Sequence, residues 1–201
     1  FSPADGEAFR AKYGIALERP LTLYVGRVAF EKNIDFLLRM AYELRKKRPD
    51  VLLLVTGEGL AEAGLHELTK ELSLQDNIQF IGYLDRHTEL NACYKAADVF
   101  VFSSKSETQG LVLLEAMAQG VPVVAIAELG TKSILIEGEG AIIAPEDEAV
   151  FADKVLSLLS DKNKRVALGE MARNYAKEHW TSTKQAERMV KFYQTVVTKE
   201  S

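Results

Sequence analysis

Short apolar runs rich in β-branched residues recur along this chain, each followed by a stretch with helical spacing. They fall at residues 21–25, 51–56, 78–81, 99–102, 121–125 and 141–143. Polar residues are few within them, so each reads as a strand buried on both faces. Helical patterns lie between them at 34–47, 60–72, 88–96, up to Gly120 after the fourth run, and briefly at 132–136. In the first of these, Phe36, Leu37, Met40, Ala41 and Leu44 form the core stripe. Strands alternating with helices imply a parallel sheet covered on both sides. Right-handed crossovers then favour a doubly wound α/β fold, most simply with strand order 3-2-1-4-5-6. In that order strands one and four are neighbours and the chain leaves them in opposite directions. A crevice therefore opens between the loop at 26–33 and the loop at 103–110. Ser2-Pro3 signals an opening helix that runs to about Tyr13 and turns at Gly14, and three helices at 147–160, 163–178 and 183–198 close the chain. No linker or low-complexity segment interrupts the pattern, so residues 1–201 read as one domain.

Composition removes several classes of function. A net charge of −4 argues against a general nucleic-acid binder. The basic cluster Arg45-Lys46-Lys47-Arg48 reads as the cationic last turn of a helix before Pro49. The single cysteine, Cys93, rules out an internal disulfide, suits a reducing compartment, and sits among apolar neighbours as a packing residue. His66, His87 and His179 lack metal-ligand spacing. Neither a membrane-spanning run nor a signal peptide is visible, and the start at Phe1 without an initiator Met leads us to expect a piece of something longer.

The two crevice loops carry the chemistry. The stretch from Ser103 through Gly110 leads from a strand into a helix N-terminus, where free amides and the helix dipole favour an anion. Glu107 lies in that turn and Glu115 inside the helix, in an apolar context that is costly for an unused charge. The other loop, from Gly26 to Asn33, offers Arg27 and Lys32. Arginine can grip two phosphate oxygens and lysine acts as a point charge, a combination suited to a diphosphate and more so to a departing one. Each cation could instead pair with Glu31 or another neighbour. Glu115 is placed to accept from a ribose diol, and Glu107 to meet a sugar at the far end of the diphosphate. Gly57-Glu58-Gly59 starts like a dinucleotide fingerprint, but Glu62 stands where the third glycine belongs, so it reads as a tight strand-to-helix turn that touches the ligand. Gly82-Tyr83-Leu84 could present backbone groups and an aromatic face to a base.

The ordered set of blocks resembles the donor-binding, C-terminal half of family 4 (group 1) retaining glycosyltransferases. The blocks are Val25-Gly26-Arg27 with Glu31-Lys32-Asn33, Gly57-Glu58-Gly59, Phe80-Ile81-Gly82-Tyr83-Leu84, Ala97-Asp98-Val99, Ser103-Ser104, Glu107 with Gly110-Leu111, Glu115-Ala116-Met117-Ala118, and Gly120-Val121-Pro122-Val123-Val124. The resemblance implies a GT-B enzyme of two Rossmann-like halves facing a cleft, of which the N-terminal acceptor half is absent. It implies that Arg27 and Lys32 bind the donor diphosphate and that Glu115 binds the ribose. It further implies that Glu107 contacts the sugar near the reacting end, while backbone around Gln109, Gly110 and Leu111 meets sugar and phosphate. No metal is implied. The turn Ser-Glu-Thr-Gln-Gly looks most like bacterial diacylglycerol glucosyltransferases, which implies UDP-glucose as donor, a glycolipid acceptor, and a cytoplasmic protein peripheral to a membrane. Two departures stand out: Gln109 replaces a frequent aromatic, and 128–132 lacks a second glycine and a nearby Glu. By itself such a half is expected to bind a nucleoside diphosphate weakly and transfer nothing. The alternatives are a non-catalytic nucleotide-binding module and a glycoside hydrolase using Glu107 and Glu115.

Overall fold

The computed structural model of the chain describes residues 5–197. Six parallel strands, β1 (Leu21–Val25), β2 (Leu52–Thr56), β3 (Ile78–Phe80), β4 (Val99–Phe102), β5 (Val123–Ala125) and β6 (Ala141–Ile143), form one sheet in the order β3-β2-β1-β4-β5-β6. This is the expected Rossmann-like α/β order. Strands β1, β2, β4 and β5 are buried along their whole length, which is why their sequences carry apolar residues at consecutive positions. β1 lies beside β4 with Thr22 opposite Val99 and Leu23 opposite Phe100.

Among the described residues eight α-helices flank the sheet: α1 (Gly6–Lys12), α2 (Ile34–Lys47), α3 (Glu62–Glu71), α4 (Leu90–Ala96), α5 (Leu111–Ala118), α6 (Glu148–Leu159), α7 (Lys162–His179) and α8 (Ser182–Val197). Helix α2 packs on α3 and α6, with Phe36 and Phe151 meeting edge to face at 5.5 Å. On the other side α1 packs on α4, and α5 on α4 and α7. The predicted core stripe of α2 is buried, and its last turn carries Arg45, Lys46 and Lys47, where cations complement the helix dipole. Cys93 is buried, and burial pushes its thiol up, with Glu89 adding to the effect.

Several expected boundaries move. The Ser2-Pro3 signal lies outside the described residues, and α1 starts at Gly6 because the Asp5 side chain accepts from the amides of Glu7 and Ala8. Helix α3 begins at Glu62 rather than 60, and Leu60 is almost fully exposed. Helix α4 begins at Leu90 rather than 88, because the Asp85 carboxylate accepts from the amides of His87 and Thr88 and from the Thr88 hydroxyl, holding that segment in a turn. Pairing with β4 and β6 begins β5 at Val123, two residues later than expected. The helix expected at 132–136 is instead a tight 3-10 turn, Leu129–Ser133, closed by the Thr131 hydroxyl, which accepts from the Glu128 amide.

The amino ends of β1 and β4 are locked together. Asp98, just before β4, accepts from the Leu21 amide at 2.9 Å and pairs with Arg10 at 3.1 Å and Arg165 at 3.3 Å. Arg10 is buried and also donates to the carbonyls of Ala96, Ala16, Leu17 and Arg19. The pairing between the same strands ends at Leu23 and Phe100, and the loops at 26–33 and 103–110 follow at their carboxyl ends. Among the described residues, no helix is long and apolar enough to cross a membrane.

Candidate functional site

The loop after β1 and the loop after β4 are stitched across the crevice. The Ser103 hydroxyl, at the end of β4, bonds to the Asn33 carbonyl at 2.7 Å and lies 3.2 Å from that of Lys32. Asn33, in the left-handed region at φ 55°, returns a bond from its amide nitrogen to the Ser103 carbonyl at 3.5 Å. This stitch brings Lys32 over the β4 loop. Its ammonium meets Glu107 Oε2 at 2.9 Å, and both side chains are largely shielded, at 16% and 22% exposure. The other carboxylate oxygen of Glu107 accepts from the Gly110 amide at 3.2 Å.

Gly110 adopts φ 58°, a conformation open to glycine at little cost, and starts α5 without a capping side chain. The amides of Leu111 and Val112 in the first turn are thereby left to an anion. Lys32, Glu107, Gly110 and the start of α5 thus form one cluster at the topological switch point. Burial works to raise the Glu107 pKa. The Lys32 ammonium and the amides of Gly110 and Gln109 outweigh it, and the carboxyl sits below its ordinary value. A carboxylate whose folded pKa is depressed adds stability above its unfolded pKa of about 4.5 and loses it as pH falls through the lower folded value. Stability should accordingly fall more steeply between about pH 5 and pH 3 in the native chain than in Glu107→Gln, as read by urea unfolding. Parallel curves would show that Glu107 gains nothing from this cluster.

Arg27 does not join Lys32 in that cluster. Its guanidinium pairs with Glu31 and is 68% exposed, the alternative partner that the sequence left open. It borders a separate hollow of about 340 Å³, mainly apolar, lined also by Gly26, Gly57, Tyr83, Leu84 and Leu90. That volume is at the low end for small-molecule sites. Gly57 is required by close approach, because a Cβ there would lie 1.9 Å from the Gly26 carbonyl oxygen. The Gly57 amide donates to the Gly82 carbonyl at 2.8 Å, which draws the Tyr83-Leu84 segment to the hollow's rim. Tyr83 is exposed there and Leu84 is buried. Gln109 and Leu111 are exposed beside the α5 start.

Glu115, the expected ribose ligand, is held by two residues that the sequence reading assigned no role. The Tyr94 hydroxyl donates to its Oε2 at 2.9 Å, and Arg86 pairs with its Oε1. Tyr94 and Cys93 both occupy buried positions of α4, and only coordinates show that the ring carries its hydroxyl to α5. Arg86 sits in a turn whose direction no spacing rule gives. Among the described residues, no group of His, Cys, Asp and Glu could hold a metal ion.

Residues 5–175 match the family described as Glycosyl transferases group 1. D-inositol 3-phosphate glycosyltransferase 2 of Catenulispora acidiphila is 36% identical over 194 residues, covering 91% of this chain and 45% of that protein. The GDP-mannose-dependent monoacylated alpha-(1-6)-phosphatidylinositol monomannoside mannosyltransferase of Corynebacterium glutamicum is 28% identical over 201 residues, 96% of this chain and 52% of its own. S. aureus TarM, solved with fondaparinux, alpha-GlcNAc-glycerol and UDP, superposes with a TM-score of 0.80 at 25% identity, over 87% of this chain and 35% of TarM. The chain spans about half the length of the curated relatives it matches. With the sheet order, the crevice and this match in agreement, the chain belongs to the glycosyl transferases group 1 family.

Proposed function

We propose that this chain is the donor-binding half of a retaining hexosyltransferase, holding a nucleotide sugar across the crevice. The observation that carries the proposal is the Lys32–Glu107–Gly110 cluster at the uncapped start of α5. The carboxylate of Glu107 neutralises Lys32. A diphosphate brings more negative charge and can take the ammonium and the α5 amides together. Glu107, released from Lys32 and still accepting from the Gly110 amide, then faces the sugar and can accept from its hydroxyls. As the sugar–phosphate bond breaks, charge grows on the leaving oxygens, where Lys32 and the amides stabilise it. Arg27 adds a second cation by swinging from Glu31. The hollow beside Tyr83 and Leu84 takes the base, and Glu115 takes the ribose.

The donor we propose is UDP-glucose, on the form of the Ser106–Gly110 turn, and the acceptor is a glycolipid met by an N-terminal half that this chain does not contain. The relatives differ here: one is named for GDP-mannose and another was solved with UDP. A hydrolase reading requires one carboxyl of the pair to carry a proton as acid. Glu107 is instead held below its ordinary pKa by the Lys32 ammonium and the amides of Gly110 and Gln109, which makes it a poor acid and disfavours that reading. Calorimetric titration of the chain with UDP, GDP and ADP tests the proposal. UDP should bind most tightly, and Lys32→Ala should weaken it by about 10–100-fold, the worth of a charge-assisted hydrogen bond. Failure to bind any of the three would remove the donor-site reading, and tightest binding of GDP would change the donor.

A further inference from the structure

The two residues that hold Glu115 differ in character. Tyr94 is fully buried, and its ring packs 5.8 Å from that of Phe100. Phe100 in turn lies 6.4 Å from Phe102, and Phe102 6.4 Å from Tyr24. A ring wedged in that row cannot swing, so its hydroxyl is a fixed point. Burial, with Cys93 adding and Arg86 opposing, pushes the hydroxyl far above the usual tyrosine range, so it remains a donor at any working pH. Arg86, by contrast, has a side chain 59% exposed and approaches the other carboxylate oxygen from the solvent side. Glu115 is therefore held between a buried donor inside and an exposed cation outside.

A carboxylate offers about four lone-pair positions. Tyr94 and Arg86 occupy one on each oxygen and so fix the plane of the group, leaving one per oxygen for a vicinal diol. Without Tyr94 the terminal torsion of the glutamate is broad and unconstrained, and the ion pair with Arg86 would draw the carboxylate outward.

We propose that Tyr94 and Arg86 are positioning residues that set the Glu115 carboxylate to recognise a ribose diol, making the site selective for ribonucleotides over nucleotides lacking the diol. The proposal rests on the reading of Glu115 as the ribose ligand. A ligand that lacks the diol leaves two carboxylate acceptors without their partners, so the discrimination should be large when the carboxylate is held and small when it is free.

The experiment is calorimetric titration of the chain and its variants with UDP and with 2′,3′-dideoxy-UDP. The native chain should prefer UDP by about tenfold or more. Tyr94→Phe keeps the ring in its row and removes one oxygen; its preference should shrink to about threefold or less. Arg86→Gln, on an exposed side chain, should also narrow the preference, and it carries the test if Tyr94→Phe fails to fold. Glu115→Ala separates the two levels of the argument. Should Glu115→Ala retain the full preference, the ribose assignment is wrong. Should Glu115→Ala abolish the preference while Tyr94→Phe and Arg86→Gln preserve it, the ribose assignment stands and the positioning role is overturned. A native chain with no preference overturns both. A purely structural role for Tyr94 would weaken the two ligands equally and leave their ratio unchanged.

Discussion

On the proposed function, replacing Lys32 with alanine is expected to slow sugar transfer by the full-length protein by about 10²–10³-fold, as for the loss of an electrostatic stabiliser at a leaving group. The size follows from the environment of the ammonium. It is largely shielded, fixed above the β4 loop by the Ser103–Asn33 stitch, and within 2.9 Å of a carboxylate that the loop itself positions. A charge in such a place needs no reorganisation when the leaving diphosphate gains its charge. Because that charge develops only as the bond breaks, the loss should fall mainly on kcat, with a smaller rise in KM for the donor. Steady-state transfer assays on the full-length protein provide the measurement. Turnover unchanged by Lys32→Ala would remove Lys32 from the reaction. The same assay on Arg27→Ala decides whether the exposed guanidinium leaves Glu31 for the diphosphate, since a comparable loss means that it does.

The largest effect on stability is expected at the opposite end of the same strands. Asp98→Ala should cost about 3 kcal/mol, because it leaves the buried Arg10 without its counter-ion and the Leu21 amide without its acceptor. For a chain of this size that is a fall in Tm of roughly 6–12 °C. Arg10 keeps its carbonyl acceptors, which is why the cost is not higher still. Arg165→Ala should cost less, since Arg165 is more exposed and Asp98 retains Arg10. Thermal unfolding followed by far-UV circular dichroism measures both. If Asp98→Ala melted with the native chain, the cluster would be a bystander to the β1–β4 junction.

The strand order was legible because burial on both faces leaves a plain mark: β1, β2 and β4 admit almost no polar residue, and right-handed crossovers then leave few orders to choose from. Boundaries were less legible because side-chain bonds set them, as at Asp5, at the Asp85 turn that delays α4, and at Thr131 where a 3-10 turn replaces the expected helix. In the site, the topology brings the loops of Lys32 and Glu107 to the same place, but that the two side chains pair with each other was not legible, since each suits a ligand equally well on paper. Arg27 was expected beside Lys32 on one diphosphate, and instead it pairs with Glu31 one turn away, because an exposed guanidinium takes the carboxylate within reach. Tyr94 was hidden for a different reason. Helical spacing identifies a buried ring and says nothing about where the ring's one polar atom ends, and here it ends at the carboxylate of Glu115.

The row of rings from Tyr94 through Phe100 and Phe102 to Tyr24 ends in a second hydroxyl, which donates to the Arg27 carbonyl at 3.2 Å. Its two tips therefore touch Glu115 and the β1 loop. Like the beam of a caliper, the row sets a fixed gap between those two points, with the exposed side chains of Arg27 and Arg86 outside it; on the proposed function a nucleotide would pass those outer arms while the span beneath them stays constant.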